Sequence, residues 1–142
     1  MEFKKILVPV DFSQGARRAF EYAANLCLDY GASITVINVV EEEQGGFSFS
    51  DPLGIADKWV HQAAKKANSD MDELLGTLGR ELEVDRVVVV GDPSKVLLKK
   101  AIEENYDLIV LGAHGRSGAK MAWLGGIAYN IVRKAPCPVL AV

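Results

Sequence analysis

Residues Leu108–Gly126 read LIVLGAHGRSGAKMAWLGG. Four apolar residues, Leu108–Leu111, run on without a polar interruption and end in a glycine-rich loop. Beyond the loop, Ala122, Leu124, Ile127, Ala128, Ile131 and Val132 recur at helical spacing. A short continuous apolar run between turn signals is the pattern of a strand covered on both faces, as in a parallel sheet. The spacing predicts a helix over about Ala119–Ala135, stopped by Pro136, which disfavours helical backbone in the residue before it.

Working outward, further short apolar runs rich in Val and Ile occur at Ile6–Val10, Ile34–Val40, Val84–Val90 and Pro138–Val142, several of the five being continuous rather than alternating. Helical periodicity separates these runs. Ala16, Ala19, Phe20, Ala23 and Cys27 form one apolar stripe, with Ser13 placed to cap its start and Gly31 to end it. A longer stripe, from about Ile55 to Arg80, is made of Ala56, Trp59, Ala63, Ala67, Met71, Leu74 and Leu78. Asp92-Pro93 opens another helix carrying Val96, Leu97 and Ala101, with Asn105 placed to close it. Strands alternating with helices imply a single doubly wound α/β domain over residues 1–142. Its five-stranded parallel sheet has helices on both faces, and the order expected is 3-2-1-4-5. In such sheets a ligand binds at the carboxyl ends of the strands, where the winding reverses. The two loops meeting there follow Val10 and Leu111.

The bulk numbers narrow the function classes. The chain has 142 residues, 16 Lys plus Arg against 19 Asp plus Glu, and a formal net charge of -3. That balance lacks the basic footprint of a nucleic-acid binder. No run of 18 apolar residues exists to span a membrane, and the N-terminal MEFKKILVPVD does not read as a signal peptide. Cys27 and Cys137 stand far apart with no CxxC, so a reduced, cytoplasmic chain is expected. Two histidines, His61 and His114, exclude a His-rich metal centre. There is no GxxxxGK[ST], no GxGxxG after the first strand and no GxSxG.

What remains is the loop Gly112–Gly126 and Asp11. Gly112, Gly115 and Gly118 let the backbone turn tightly and approach a ligand, and amides at the following helix start can receive phosphate oxygens. Asp11 can accept hydrogen bonds from ribose hydroxyls, hold a divalent ion through phosphates, or cap the first helix. His114 suits a phosphate contact or a solvated loop position. Arg116 and Lys120 suit a polyphosphate or an ordinary surface. Trp123 suits packing against the sheet or an interface better than stacking on a base. In EEEQGGFSFSDP, Glu41–Pro52, Phe47 and Phe49 suit either anchoring to their own domain or covering a site or partner.

Gly112, Gly115 and Gly125 also meet the spacing G-x2-G-x9-G. With Pro9, Asp11, Gly91-Asp92-Pro93 and Asn130, this resembles the universal stress protein family from KKILVPVDFS to APCPVLAV. The resemblance implies a dimeric sensor or regulator that binds ATP or AMP, with Mg or Mn on the phosphates and Asp11 as an indirect metal contact. It places Pro9, Val10, Asp11, Val39 and Val40 at the base and ribose. It places Gly112, Gly115, Gly125 and Gly126 at the phosphates, and the candidate binding residues of that loop are completed by His114, Arg116, Gly118 and Ile127. It also implies a homodimer that pairs the last strands, here Pro138–Val142, antiparallel. Gly126 stands where the ATP-binding pattern has Ser or Thr, so a nucleotide-free dimeric adaptor of the same fold is the rival reading. A slow ATPase is a third, with no evident general base; a phosphoacceptor receiver would want an acidic cluster beside Asp11 that is absent.

Overall fold

The computed structural model describes residues 2–41, 55–78, 82–114 and 124–142. Within them the chain runs β1 (Lys5–Pro9), α1 (Gln14–Tyr30), β2 (Ser33–Val40), α2 (Ile55–Gly76), β3 (Val84–Val90), α3 (Pro93–Glu103), β4 (Leu108–Leu111), α4 (Gly126–Lys134) and β5 (Val139–Ala141). The strands form one sheet of order β3-β2-β1-β4-β5, and every pairing is parallel. This is the architecture the apolar runs imply.

The pleat sorts the core into two layers. Ile6 and Val8 of β1, with Ile34 and Val36 of β2, pack under Phe20 and Ala23 of α1 and Met71 and Leu74 of α2. Leu7 of β1, Ile37 of β2 and Ile109 of β4 face the other way, against Leu97 and Ala101 of α3 and Ala128 and Ile131 of α4. Ser13 caps α1 by accepting the Ala16 amide, and Gly31 ends it in left-handed backbone (φ 69°), where a side chain would be strained. Asp92 caps α3 with Pro93 in its first turn, and Asn105 follows its end at φ 53°.

At the edge of the sheet opposite the strands' carboxyl ends, a polar group ties the β1 and β4 starts together. Asp107 Oδ2 accepts the amides of Lys4 and Lys5, each at 2.9 Å. Buried Tyr106 donates its hydroxyl to Thr35 Oγ1 at 2.9 Å and lies 3.1 Å from Glu104 Oε2. Burial pushes the Tyr106 phenol up to about 12, and the Glu104 contact adds to the rise. The hydrogen bond from Lys100, at 2.6 Å, leads the causes that hold the Glu104 carboxyl below its ordinary value. Cys27 is buried in the α1 layer, and burial pushes its thiol up to about 11, in keeping with a structural role.

Two helix boundaries and the burial of one residue differ from the sequence reading. The last helix begins at Gly126 rather than near Ala119; Leu124 and Gly125 are not helical, and residues 119–123 lie outside the described residues. Two adjacent glycines disfavour helix by about 1 kcal/mol each, and Gly125 instead takes the extended capping position. The second helix ends at Gly76, followed by a turn at Thr77 and Leu78, and not at Arg80. Trp59 is not part of the buried stripe: it is 53% exposed.

Candidate functional site

β1 lies between β2 and β4, and the connections after β1 and β4 leave toward opposite faces. A crevice therefore opens at their carboxyl ends. On the β1 side, the Val10 amide donates to Ile37 O (2.9 Å), and Asn38 Nδ2 donates to Val10 O (2.8 Å). Both polar groups of the Val10 main chain are thus held by β2. Asp11 Oδ1 accepts the Ser13 amide at 3.0 Å, bending the chain into α1. Phe12 sits at φ 63° between them. A non-glycine residue there costs of order 1–3 kcal/mol, strain of a kind that collects at functional loops. Capping of α1 therefore falls to Ser13, and the Asp11 carboxylate shapes the turn at the crevice.

On the β4 side, Ala113 donates to Val142 O (2.8 Å) and accepts from the Gly125 amide (2.8 Å). This pins both stems of the glycine-rich loop, one of them to the C-terminal residue. Gly112 packs directly on the first turn of α1. A Cβ on Gly112 would meet Gly15 C at 2.8 Å and Ala16 N at 3.0 Å, and a Cβ on Gly15 would meet His114 O at 2.8 Å. Both glycines let two backbones touch. Gly125 holds the N-cap position of α4 and makes no side-chain cap hydrogen bond, so among the described residues the leading amides of α4 are not capped from that position. A Cβ on Gly126 would meet nothing within 4 Å among the described residues.

The turn after β1, the described ends of the loop after β4, α2 and the start of α3 line an open cavity of about 670 Å³. Of the site residues read from sequence, Pro9, Val10, Asp11, Val39, Val40, Gly112, His114, Gly125, Gly126 and Ile127 all line it. Gly115, Arg116 and Gly118 lie outside the described residues, as do Lys120, Trp123, Phe47 and Phe49. His114 Nδ1 is buried without a hydrogen-bond partner among the described residues, a polar atom with capacity for a ligand.

Sequence reasoning missed one wall. Trp59, Gln62, Ala63, Lys66, Ala67 and Asp70 of α2 also line the cavity, with Lys66 Nζ 2.7 Å from Asp70 Oδ2. Their spacing of three and four residues was legible, but it mixes polar with apolar side chains and so merges with the core stripe that continues at Met71 and Leu74. Asn38, which secures Val10, carries no motif at all. Among the described residues, no group of three or more His, Cys, Asp or Glu side chains could hold a metal ion. No described helix is long and apolar enough to cross a membrane.

Comparison with known proteins agrees with this fold. The model of the universal stress protein family matches residues 2–142. A universal stress protein of Thermus aquaticus is 33% identical over 143 residues, covering 99% of this chain and 98% of that one. Among solved structures, the universal stress protein UspA of Lactobacillus plantarum superposes with a TM-score of 0.85 at 26% identity, covering 100% of this chain and 99% of that one. A universal stress protein of Archaeoglobus fulgidus in complex with dAMP shares the fold, with a TM-score of 0.60 at 24% identity over 99% of this chain and 98% of that one.

Proposed function

The chain belongs to the universal stress protein family, and from that premise we propose that it is a cytoplasmic stress-response protein that binds ATP or AMP and acts as a homodimeric sensor or regulator. The observation that carries the reading is the uncapped start of α4 opening into the same 670 Å³ cavity as the Asp11 turn. Helix-start amides suit phosphate oxygens, and a carboxylate suits ribose hydroxyls. The residues fit the group: Gly126 leaves open space beside those amides, and His114 Nδ1 has a hydrogen bond to give or accept. Pro9, Val10, Val39 and Val40 would border the base. Mg or Mn would arrive with the phosphates, with Asp11 as the protein carboxylate we assign to it. The dAMP held by the Archaeoglobus fulgidus protein is of the same chemical class, and at 24% identity the likeness extends to the fold.

The role we assign is binding rather than turnover. Asp11 already accepts the Ser13 amide, which suits holding a ribose better than moving a proton. The dimer would form at β5, which ends the sheet and pairs with β4 on one side. Leu140 of β5 is partly exposed there, with Tyr129 and Val132 of α4. Hydrogen bonds run from Val142 through Ala113 to Gly125, so a phosphate-dependent shift at α4 would reach that edge.

The test is mass analysis of small molecules released from the purified native protein, with calorimetry using ATP and AMP in the presence of Mg. A released adenine nucleotide near one equivalent per chain, or saturable heat, supports the reading; neither would refute it and leave the nucleotide-free adaptor. Gly126→Ser restores a hydroxyl where there is room for it. A hydrogen bond to a charged phosphate is worth about 1.5–3 kcal/mol, so ATP binding should tighten by roughly one to two decades.

A further inference from the structure

α2 has 22 residues, about 33 Å of helix, whereas β2 and β3 have 8 and 7 residues, or about 23–26 Å of strand. Met71 and Leu74, late in α2, are wholly buried against the sheet. The earlier turns overhang the carboxyl edge, and the stripe Trp59, Gln62, Ala63, Lys66 and Ala67 lines the cavity. Its polar members, Gln62 and Lys66, are exposed, and Ala63 and Ala67 leave a shallow floor between them and Trp59. Trp59 is 53% exposed, a large aromatic side chain at a cavity wall rather than in the core. It shares that cavity with Val39 and Val40, which end β2, and with Glu41 just beyond them.

We propose that Trp59 is the base-stacking residue of this site, giving it preference for ligands that carry a planar heterocycle over sugar phosphates. The inference rests on the nucleotide reading above and adds to it a residue from a helix outside both switch loops. Asp11 and the α4 start recognise ribose and phosphate, chemistry that every nucleotide and sugar phosphate shares. Discrimination in favour of a base needs an apolar planar surface; of the described lining residues Phe12 packs against the core and His114 belongs to the glycine-loop stem, which leaves the exposed indole of Trp59 as the large aromatic face. Stacking of a base on an aromatic side chain is sequence-tolerant and strong enough to set such a preference.

The experiment compares AMP with ribose 5-phosphate by calorimetry on the wild type, Trp59→Ala and Trp59→Phe. Trp59→Ala should weaken AMP on the order of tenfold to a hundredfold, from the usual worth of one base–aromatic stack. Trp59→Phe should recover most of that loss, and ribose 5-phosphate should bind all three alike. In a Trp123→Phe background, AMP should quench the remaining tryptophan fluorescence and ribose 5-phosphate should not. If wild type binds AMP and Trp59→Ala binds it equally well, the stacking role is wrong while the nucleotide site stands. Equal losses for AMP and ribose 5-phosphate in Trp59→Ala would also overturn it, as a general distortion of the wall. A wild type that binds neither ligand overturns both readings.

Discussion

Adding one methyl group at Gly112 and the same group at Gly126 should have opposite effects. At Gly112 the new Cβ would lie 2.8 Å from Gly15 C, 3.0 Å from Ala16 N and 3.1 Å from Gly15 O, all of them main-chain atoms. Carbon contacts are optimal at about 3.5–4.0 Å, so the start of α1 must move from β4 by about 0.7 Å or more. No side-chain rotation can relieve it. Overpacking of this kind costs about 1–3 kcal/mol, and the reduced entropy of the unfolded chain returns about 0.4–1. The net expectation for Gly112→Ala is a loss of about 1–2 kcal/mol. At Gly126, in the first turn of α4, the Cβ meets nothing within 4 Å, and Gly126→Ala should stabilise by about 0.5–1 kcal/mol. Urea unfolding of both variants beside the wild type measures the difference, about 2–3 kcal/mol between them. At this chain length each kcal/mol moves Tm by about 2–4 °C. Because Gly112 lines the cavity, Gly112→Ala should also weaken AMP. A Gly112→Ala protein as stable as the wild type would refute the close approach of α1 and β4, and a Gly126→Ala protein losing as much would refute the open space at the start of α4.

Three other outcomes are expected. Tyr106 binds its proton more tightly folded than unfolded, so it stabilises below pH 10 and that stability drains away as pH rises from about 10 to about 12. Two pKa units correspond to about 2.7 kcal/mol at most. The urea midpoint of Tyr106→Phe should fall less steeply over that window; an unchanged slope would assign the alkaline loss elsewhere. Cys27 acts with the same sign between pH 9 and about 11. Asn38→Ala removes the donor to Val10 O, and should cost about 0.5–1.5 kcal/mol of stability and weaken AMP, read by denaturation and calorimetry. Unaltered affinity would separate Val10 from the site. In β5, Pro138 O and the Val142 amide bond inward to β4, so alternate residues turn their amides to the open edge. Ala141→Pro should delete one outward donor and weaken dimerisation while sparing the fold, measured by light scattering across concentration. A dimer of undiminished affinity would place the interface elsewhere.

The sheet order was legible because the central strands β1 and β4 are buried on both faces and read as unbroken apolar runs, because the other strands are short Val- and Ile-rich runs between helices, and because Ser13, Gly31, Asp92 and Asn105 do their work within a turn of the chain. The position of the site followed from the same order, since the reversal of winding at β1 and β4 is topological. Asp11 and the loop glycines could be named from sequence because they fall at that reversal and phosphate chemistry calls for glycine and a helix start close together along the chain, whereas Pro9 and Val10 came with the family resemblance.

Other features needed tertiary contact. Gly112 reads as a loop glycine; that its hydrogen must face Gly15 depends on how closely α1 packs on β4. The start of α4 at Gly126 was obscured because the apolar spacing of Ala122 and Leu124 matches a helix that Leu124 and Gly125 do not form. Trp59, Ala63 and Ala67 have the period of a core stripe, and the sequence by itself determined that they share a helix face. Which turns of that face meet the sheet and which meet the cavity depends on α2 being longer than the strands it crosses. That difference arises when the helix docks, so burial of Met71 and Leu74 and exposure of Trp59 are properties of the packed domain.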